Sequence, residues 1–201
     1  MRLERPIAAP RLILQSLDES AATGPYRAWM LDSEVLRFLE ARHAKHDAQS
    51  LSAFIRSAND SKDSLLLGMF ERAAGRHIGN IKLGPIDWPN RRGEVGLMIG
   101  ERTCWGRGYA REAIGAMADY AFDTLRLHKL TAGYLEPNVA SGRAFEAVGF
   151  VVEARYARHF LLDGAWVSGV RIACFAPSAR DRSTPSPPAD TAPMSSGMPP
   201  G

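Results

Sequence analysis

The stretch from residue 92 to residue 125 constrains this chain most. A strand over 92–100 ends at Gly100 and passes through Glu101-Arg102-Thr103-Cys104-Trp105-Gly106-Arg107-Gly108-Tyr109-Ala110 into the clearest helix of the sequence, about 107–125. Ala110, Ala113, Ile114, Met117, Ala118, Ala121 and Leu125 give that helix one continuous apolar face, so it is expected to lie flat on a sheet. Glycines at 106 and 108 let the backbone approach a ligand closely. The helix start offers unpaired N–H groups with partial positive charge, which suits a phosphate or pyrophosphate. Gly-x-Gly alone describes a tight turn before a helix equally well. A dinucleotide fingerprint needs a third glycine where Arg111 stands, and the Gly164 and Gly169 pair is followed by Val170 where a P-loop needs Lys.

The remaining pattern supplies the sheet. Residues 11–17 alternate as a strand, 26–31, 33–41 and 47–58 read as helices, and Asp47 can cap the last. Strands over 64–71, 76–85 and 92–100, joined by the short connections 72–75 and 88–90, predict an antiparallel meander. A strand over 130–135, a helix over 138–148 capped by Asn138 and stopped by Gly149, and strands over 150–156 and 167–175 complete one α/β sheet without internal repeats. The domain is expected to span 1–177, its elements beginning near residue 8. Six of the 13 prolines fall after residue 184, so 178–201 is expected to be a disordered Pro/Ser-rich tail.

Charge and cysteine content narrow the partners. The net charge is +3, four of the 25 cations are Lys, and no dense basic block occurs, which argues against nucleic acid. Cys104 and Cys174 cannot build a disulfide framework and the start, 1–5, has no apolar core of a signal peptide, so a reducing cytoplasm is expected. The longest stretch free of Asp, Glu, Lys and Arg is the Pro-rich end, so no membrane span is expected. His43 and His46 lack further ligands of clear spacing, and no metal is expected.

Two blocks together are far more specific than either alone. Trp105-Gly106-Arg107-Gly108-Tyr109-Ala110, followed by Asn138-Val139-Ala140-Ser141-Gly142-Arg143-Ala144-Phe145-Glu146-Ala147-Val148-Gly149-Phe150, resembles the acetyl-coenzyme A (acetyl-CoA) signature of the GNAT superfamily of acetyltransferases. The likeness covers about residues 8–176 and is to the branch of ribosomal-protein N-terminal, spermidine and amino-sugar N-acetyltransferases. It implies an α/β fold with a mixed, mostly antiparallel central sheet and helices on both faces. It also implies acetyl transfer from acetyl-CoA by direct attack of a primary amine. The acceptor would be an amino sugar, another small amine or a protein N-terminus.

Carried over by position, Thr103, Cys104, Trp105, Gly106, Arg107 and Gly108 correspond to the pyrophosphate loop, and Tyr109 and Ala110 open its helix. Met98 and Ile99 lie where the family's strand offers backbone groups to the pantetheine and thioester, with the Met98 N–H on the oxyanion. Asn138, Ser141 and Arg143 fall where the next helix lines the same coenzyme. Glu94 shares a strand face with Met98 and is the expected general base. Arg102, Arg107, Arg111 and Arg143 are expected as a group near the phosphates. Cys104 and Trp105 are expected to pack in the core.

Two residues depart from the family pattern. Thr103 replaces a usual Gln or Arg, and Phe145 stands where many relatives have a proton-donating Tyr. Those departures motivate a second reading, a non-catalytic acyl-CoA-binding module. The acids Asp32, Glu34, Glu40 and Asp47 are balanced by Arg37, Arg42 and Lys45, so the anionic pocket that a polyamine needs is not expected.

Overall fold

The computed structural model describes residues 1–177; the expected tail, 178–201, lies outside the described residues. Strands β1 (Ile7–Ala8), β2 (Leu12–Ser16), β3 (Leu65–Glu71), β4 (His77–Asp87), β5 (Arg92–Ile99), β6 (Lys129–Leu135), β7 (Val151–Leu162) and β8 (Ala165–Phe175) accompany helices α1 (Pro25–Trp29), α2 (Ser33–Leu36), α3 (Ala48–Asp60), α4 (Tyr109–Asp119) and α5 (Val139–Glu146). The strands form one sheet in the order β1-β2-β3-β4-β5-β6-β8-β7. Every neighbouring pair is antiparallel except β5 and β6. That parallel pair needs a crossover, which α4 provides.

Period-two alternation puts the two halves of the apolar set on opposite faces. Leu65, Leu67 and Met69 of β3 pack with Ala113, Ile114 and Met117 of α4, whereas Leu66 between them packs with Leu51 and Ile55 of α3. The sheet is therefore covered on both faces, α1 to α3 on one and α4 with α5 on the other. Asp47 caps α3 by accepting from the Ser50 N–H at 2.7 Å, as expected.

Several boundaries differ from the sequence pattern for identifiable reasons. The helix expected over 33–41 stops at Leu36, because Leu39 is extended and residues 40–43 form a separate 3-10 turn. Helix α4 starts at Tyr109 because Gly108 caps it with a left-handed φ of 80°. The helix then widens into a π turn over Tyr120–Thr124, where the Leu125 N–H reaches back to the Tyr120 carbonyl at 3.1 Å. The last two strands are one long hairpin closed at Asp163 and Gly164, with φ of 49° and 80°. Its outer strand, β7, is an edge strand exposed along almost its whole length, so its sequence carries little apolar alternation.

Candidate active site

The site begins where β5 and β6 part. The two strands pair only at Arg92 with Lys129, Gly93 with Leu130 and Glu94 with Thr131, yet β5 continues to Ile99 and β6 to Leu135. A register shift between Leu83 and Ile86 of β4 lies opposite this point, and such bulges re-aim a strand. Beyond Glu94 the edge of β5 that faces β6 pairs with no strand among the described residues. The Arg91 carbonyl accepts from His128 and Lys129 on the β6 side, and the Gly100 N–H donates to Ile78 of β4. Strict alternation between these two fixed points turns the N–H and C=O of residues 95, 97 and 99 into the fork and those of 96 and 98 toward β4. The Met98 N–H, expected to face the oxyanion, is thus directed to β4. Leu97 and Ile99 supply the free N–H groups, and the Ile99 carbonyl already accepts from the Trp105 indole at 2.8 Å.

A cavity of about 640 Å3 passes through the sheet at the fork. From the α1 to α3 face it is lined by Tyr26, Met30, Phe38, Phe54, Asn80 and Glu94; from the other face by Tyr134, Asn138, Ser141 and Phe145. Glu94 is ion-paired with Arg171 of β8 at 3.1 Å, and Arg171 also donates to the Thr131 hydroxyl at 2.8 Å. The apex of the fork is therefore closed by Thr131, Arg171 and Glu94 in series. Arg171 carried no role in the sequence pattern, because only the placement of β8 beside β6 brings it to Glu94.

Nearby, His77 Nε2 lies 3.0 Å from the Gly79 carbonyl and 2.8 Å from Asn80 Oδ1. A nitrogen facing a carbonyl must carry hydrogen, so Asn80 presents its oxygen to His77 and keeps its buried amide nitrogen without a partner among the described residues. Burial lowers the His77 pKa, which favours the neutral ring. On the same side burial pushes the Tyr26 phenol up to about 12. His159 lines the cavity beside Phe160, within a register shift of β7 against β8 between Tyr156 and Phe160.

The loop before α4 lies outside the fork cavity. Gly106 and Gly108 have φ of 71° and 80°, and among the described residues nothing lies within 4 Å of where a Gly106 Cβ would stand, which leaves that backbone open to a ligand. Tyr109 donates its hydroxyl to Glu71 at 2.6 Å, and Arg11 pairs with Glu112 at 2.8 Å and donates to the Arg107 carbonyl at 3.0 Å, fixing the first turn. Thr103 turns its hydroxyl inward to Glu101 at 2.7 Å. Those bonds from Thr103 lower the Glu101 pKa.

The structure thus brings Glu94, Met98, Asn138 and Ser141 together around the fork cavity. Ile99 joins the fork by its backbone. Gly108 and Arg111 border a separate surface groove along α4. Thr103, Cys104, Trp105, Gly106, Arg107, Tyr109, Ala110 and Arg143 line neither. Arg102, Arg107, Arg111 and Arg143 are exposed around the start of α4 and on α5. Cys104 is buried, as expected. Trp105 is not: it is 42% exposed, with Arg102 5.7 Å from its ring. The core position beside Gly100 is filled instead by the Trp29 ring, which leaves Trp105 to cap the open end of β5.

The residues present fit acetyl-CoA. The fork provides a slot with free backbone N–H groups, and the 11-residue α4 opens with an unobstructed glycine backbone among exposed guanidinium groups. A family model for the acetyltransferase (GNAT) domain matches residues 11–151. The chain is similar to the probable N-acetyltransferase YjcK of Bacillus subtilis (strain 168), with 33% identity over 100 residues, 49% of this chain and 55% of that protein. It is also similar to a spermidine N(1)-acetyltransferase of Vibrio cholerae, with 30% identity over 96 residues, 48% of this chain and 55% of that protein. The matched stretch spans about half the length of these curated relatives. Among solved structures, spermidine N-acetyltransferase from Vibrio cholerae in complex with CoA and spermine superposes with a TM-score of 0.74 at 20% identity, covering 82% of this chain and 95% of that one. Ribosomal-protein-S5-alanine acetyltransferase from Vibrio fischeri gives 0.74 at 16%, covering 87% and 98%. These distant structures establish the fold, and with the match over 11–151 the chain belongs to the GNAT family of acetyltransferases.

Proposed function

We propose that this chain is an acetyl-CoA-dependent N-acetyltransferase acting on a primary amine by direct attack. The observation that carries the reading is the single cavity through the sheet, which joins Glu94 on one face to Asn138 and Ser141 on the other across unpaired backbone of β5. Bound acetyl-CoA supplies a thioester whose sulfur, the conjugate base of a moderately acidic thiol, is a fair leaving group. Glu94 accepts the proton of the incoming amine, directly or through water, and the Leu97 and Ile99 N–H groups hydrogen-bond charge that develops on a carbonyl held in the fork. The glycine backbone at 106–108 and the first N–H groups of α4 hold the phosphates, with Arg107, Arg111 and Arg143 as surrounding cations.

The acceptor wall narrows the amine. Glu40 and Glu94 are offset by Lys82 and Arg171, and the rest is largely apolar and aromatic. A polyamine carries several positive charges and needs several unpaired carboxylates. The balanced wall supports an amino sugar, another small amine or a protein N-terminus. The test is release of CoA thiol from acetyl-CoA with a panel of amino sugars, peptides with free N-termini and spermidine. Turnover is expected in the first two groups at kcat/KM at least about tenfold above spermidine, a difference of about 1.4 kcal/mol. Binding of acetyl-CoA with no turnover across the panel would leave the acyl-CoA-binding module instead.

A further inference from the structure

Phe145 leaves a gap in the chemistry of the fork: its ring is buried, packs edge-on against Phe150 at 4.9 Å between centroids, and has no proton to give. A phenol stands close by. Tyr134 lies on β6 three residues past the last pair with β5, on the face toward α5, and lines the same cavity as Glu94, Asn138, Ser141 and Phe145. Its ring rests over Gly142, where a Cβ would come within 2.8 Å of the hydroxyl oxygen and 2.9 Å of Cζ. Gly142 precedes Phe145 by one helical turn, so the absent side chain at 142 makes room for a hydroxyl beside the ring that lacks one. Among the described residues no hydrogen bond engages this hydroxyl, unlike that of Tyr109, which donates to Glu71. Burial raises the Tyr134 pKa, so the proton is in place at neutral pH.

Resting on the coenzyme reading above, we propose that Tyr134, standing in for the missing donor at position 145, delivers the proton that the coenzyme sulfur gains when the acyl group leaves. Tyr134 gives its phenolic hydrogen to sulfur as the carbon–sulfur bond breaks with its electron pair retained on sulfur. Water then returns a proton to the phenolate oxygen. Glu94 takes the proton of the amine on the opposite face of the sheet, so the two proton transfers use separate groups.

Binding separates this role from packing. CoA and desulfo-CoA are titrated calorimetrically into wild type and Tyr134→Phe at about pH 7, where the coenzyme thiol is protonated, and about pH 9.5, where a substantial fraction is thiolate. In wild type the phenol can donate to a charged sulfur at the higher pH, and the preference for CoA over desulfo-CoA is expected to rise about tenfold. In Tyr134→Phe that preference stays flat while desulfo-CoA affinity stays within about twofold of wild type, and kcat falls about 10- to 100-fold. An equal pH response in both proteins overturns the proposal. Failure of wild type to bind either ligand overturns instead the coenzyme reading beneath it. Should Tyr134→Phe not fold, Gly142→Ala, whose methyl takes the place of the hydroxyl, carries the same reading: an undiminished preference there overturns the assignment.

Discussion

Glu94 and Arg171 meet across an intervening strand, and their roles separate by what each loss leaves behind. Replacing Glu94 by Gln keeps the shape but removes the proposed proton acceptor. The expected outcome is a loss of about 10²- to 10⁴-fold in kcat/KM with the acid limb of its pH profile flattened. Arg171 acts through Glu94 and Thr131, so Arg171→Met is expected to cost about tenfold in kcat with KM for acetyl-CoA unchanged, and Arg171→Lys to recover part of it. Both side chains are partly exposed, 32% for Arg171 and 43% for Glu94, so melting should register less than about 1 kcal/mol. A larger loss of stability, or a raised KM for acetyl-CoA, would make Arg171 a structural strut. The face that Glu94 shares with Met98 was legible from alternation along one strand, whereas the pairing of Glu94 with Arg171 was not, because no periodicity in one segment encodes which distant strand lies beside it. Trp105 shows the opposite failure: residue type suggested burial, while Trp29 had already taken the space.

Helix α4 holds glycines under two different constraints, and the same substitution is expected to give opposite signs. Gly108 has φ of 80° at the helix start, and a Cβ in that left-handed conformation costs about 1–2 kcal/mol. Gly115 sits in the helix interior with open space where its Cβ would stand, so Gly115→Ala should stabilise by about 0.5–1 kcal/mol. Chemical denaturation of the two variants reads both; a stabilising Gly108→Ala would remove the backbone argument for the loop. The 3-10 turn Glu19–Thr23 is tied to α3 by a different means, Glu19 with Arg56 and Ser52. Hydrogen bonds from Arg56 and then Ser52 hold the Glu19 carboxyl at about 2, down from the ordinary 4.5. A depressed carboxyl stabilises the fold above its unfolded value, and that contribution fades as pH falls from about 4.5 to about 2. Wild type should therefore exceed Glu19→Gln in melting temperature at pH 6 and converge with it near pH 2; a constant gap would mean the link is not ionic. Sequence periodicity found α4 but misplaced its ends, since the left-handed Gly108 and the π turn after Asp119 are backbone events without an apolar signature.

Among the described residues the sheet acts as a partition that opens where β5 and β6 part. The meander β3 to β5 was readable from its short connections, and α4 from its apolar face, so the layers followed from local pattern. The opening did not, because it depends on where a parallel pair stops, and β5 and β6 are separated by the whole of α4. Its placement has a kinetic consequence. On the proposed reading the amine wall belongs to the α1 to α3 face and the coenzyme wall to the α4 and α5 face of the cavity, which lets both substrates occupy the fork together. No acyl-enzyme is then needed, and Cys104, buried near the guanidinium of Arg76 at 3.3 Å, is outside the cavity and unsuited to carry one. Initial rates measured against acetyl-CoA at several fixed amine concentrations should give intersecting double-reciprocal lines, and Cys104→Ala should keep kcat within about threefold while destabilising by about 1 kcal/mol from lost packing. Parallel lines, or loss of turnover in a folded Cys104→Ala, would instead place a covalent acyl intermediate on this chain and sever the link between the two-faced opening and direct transfer.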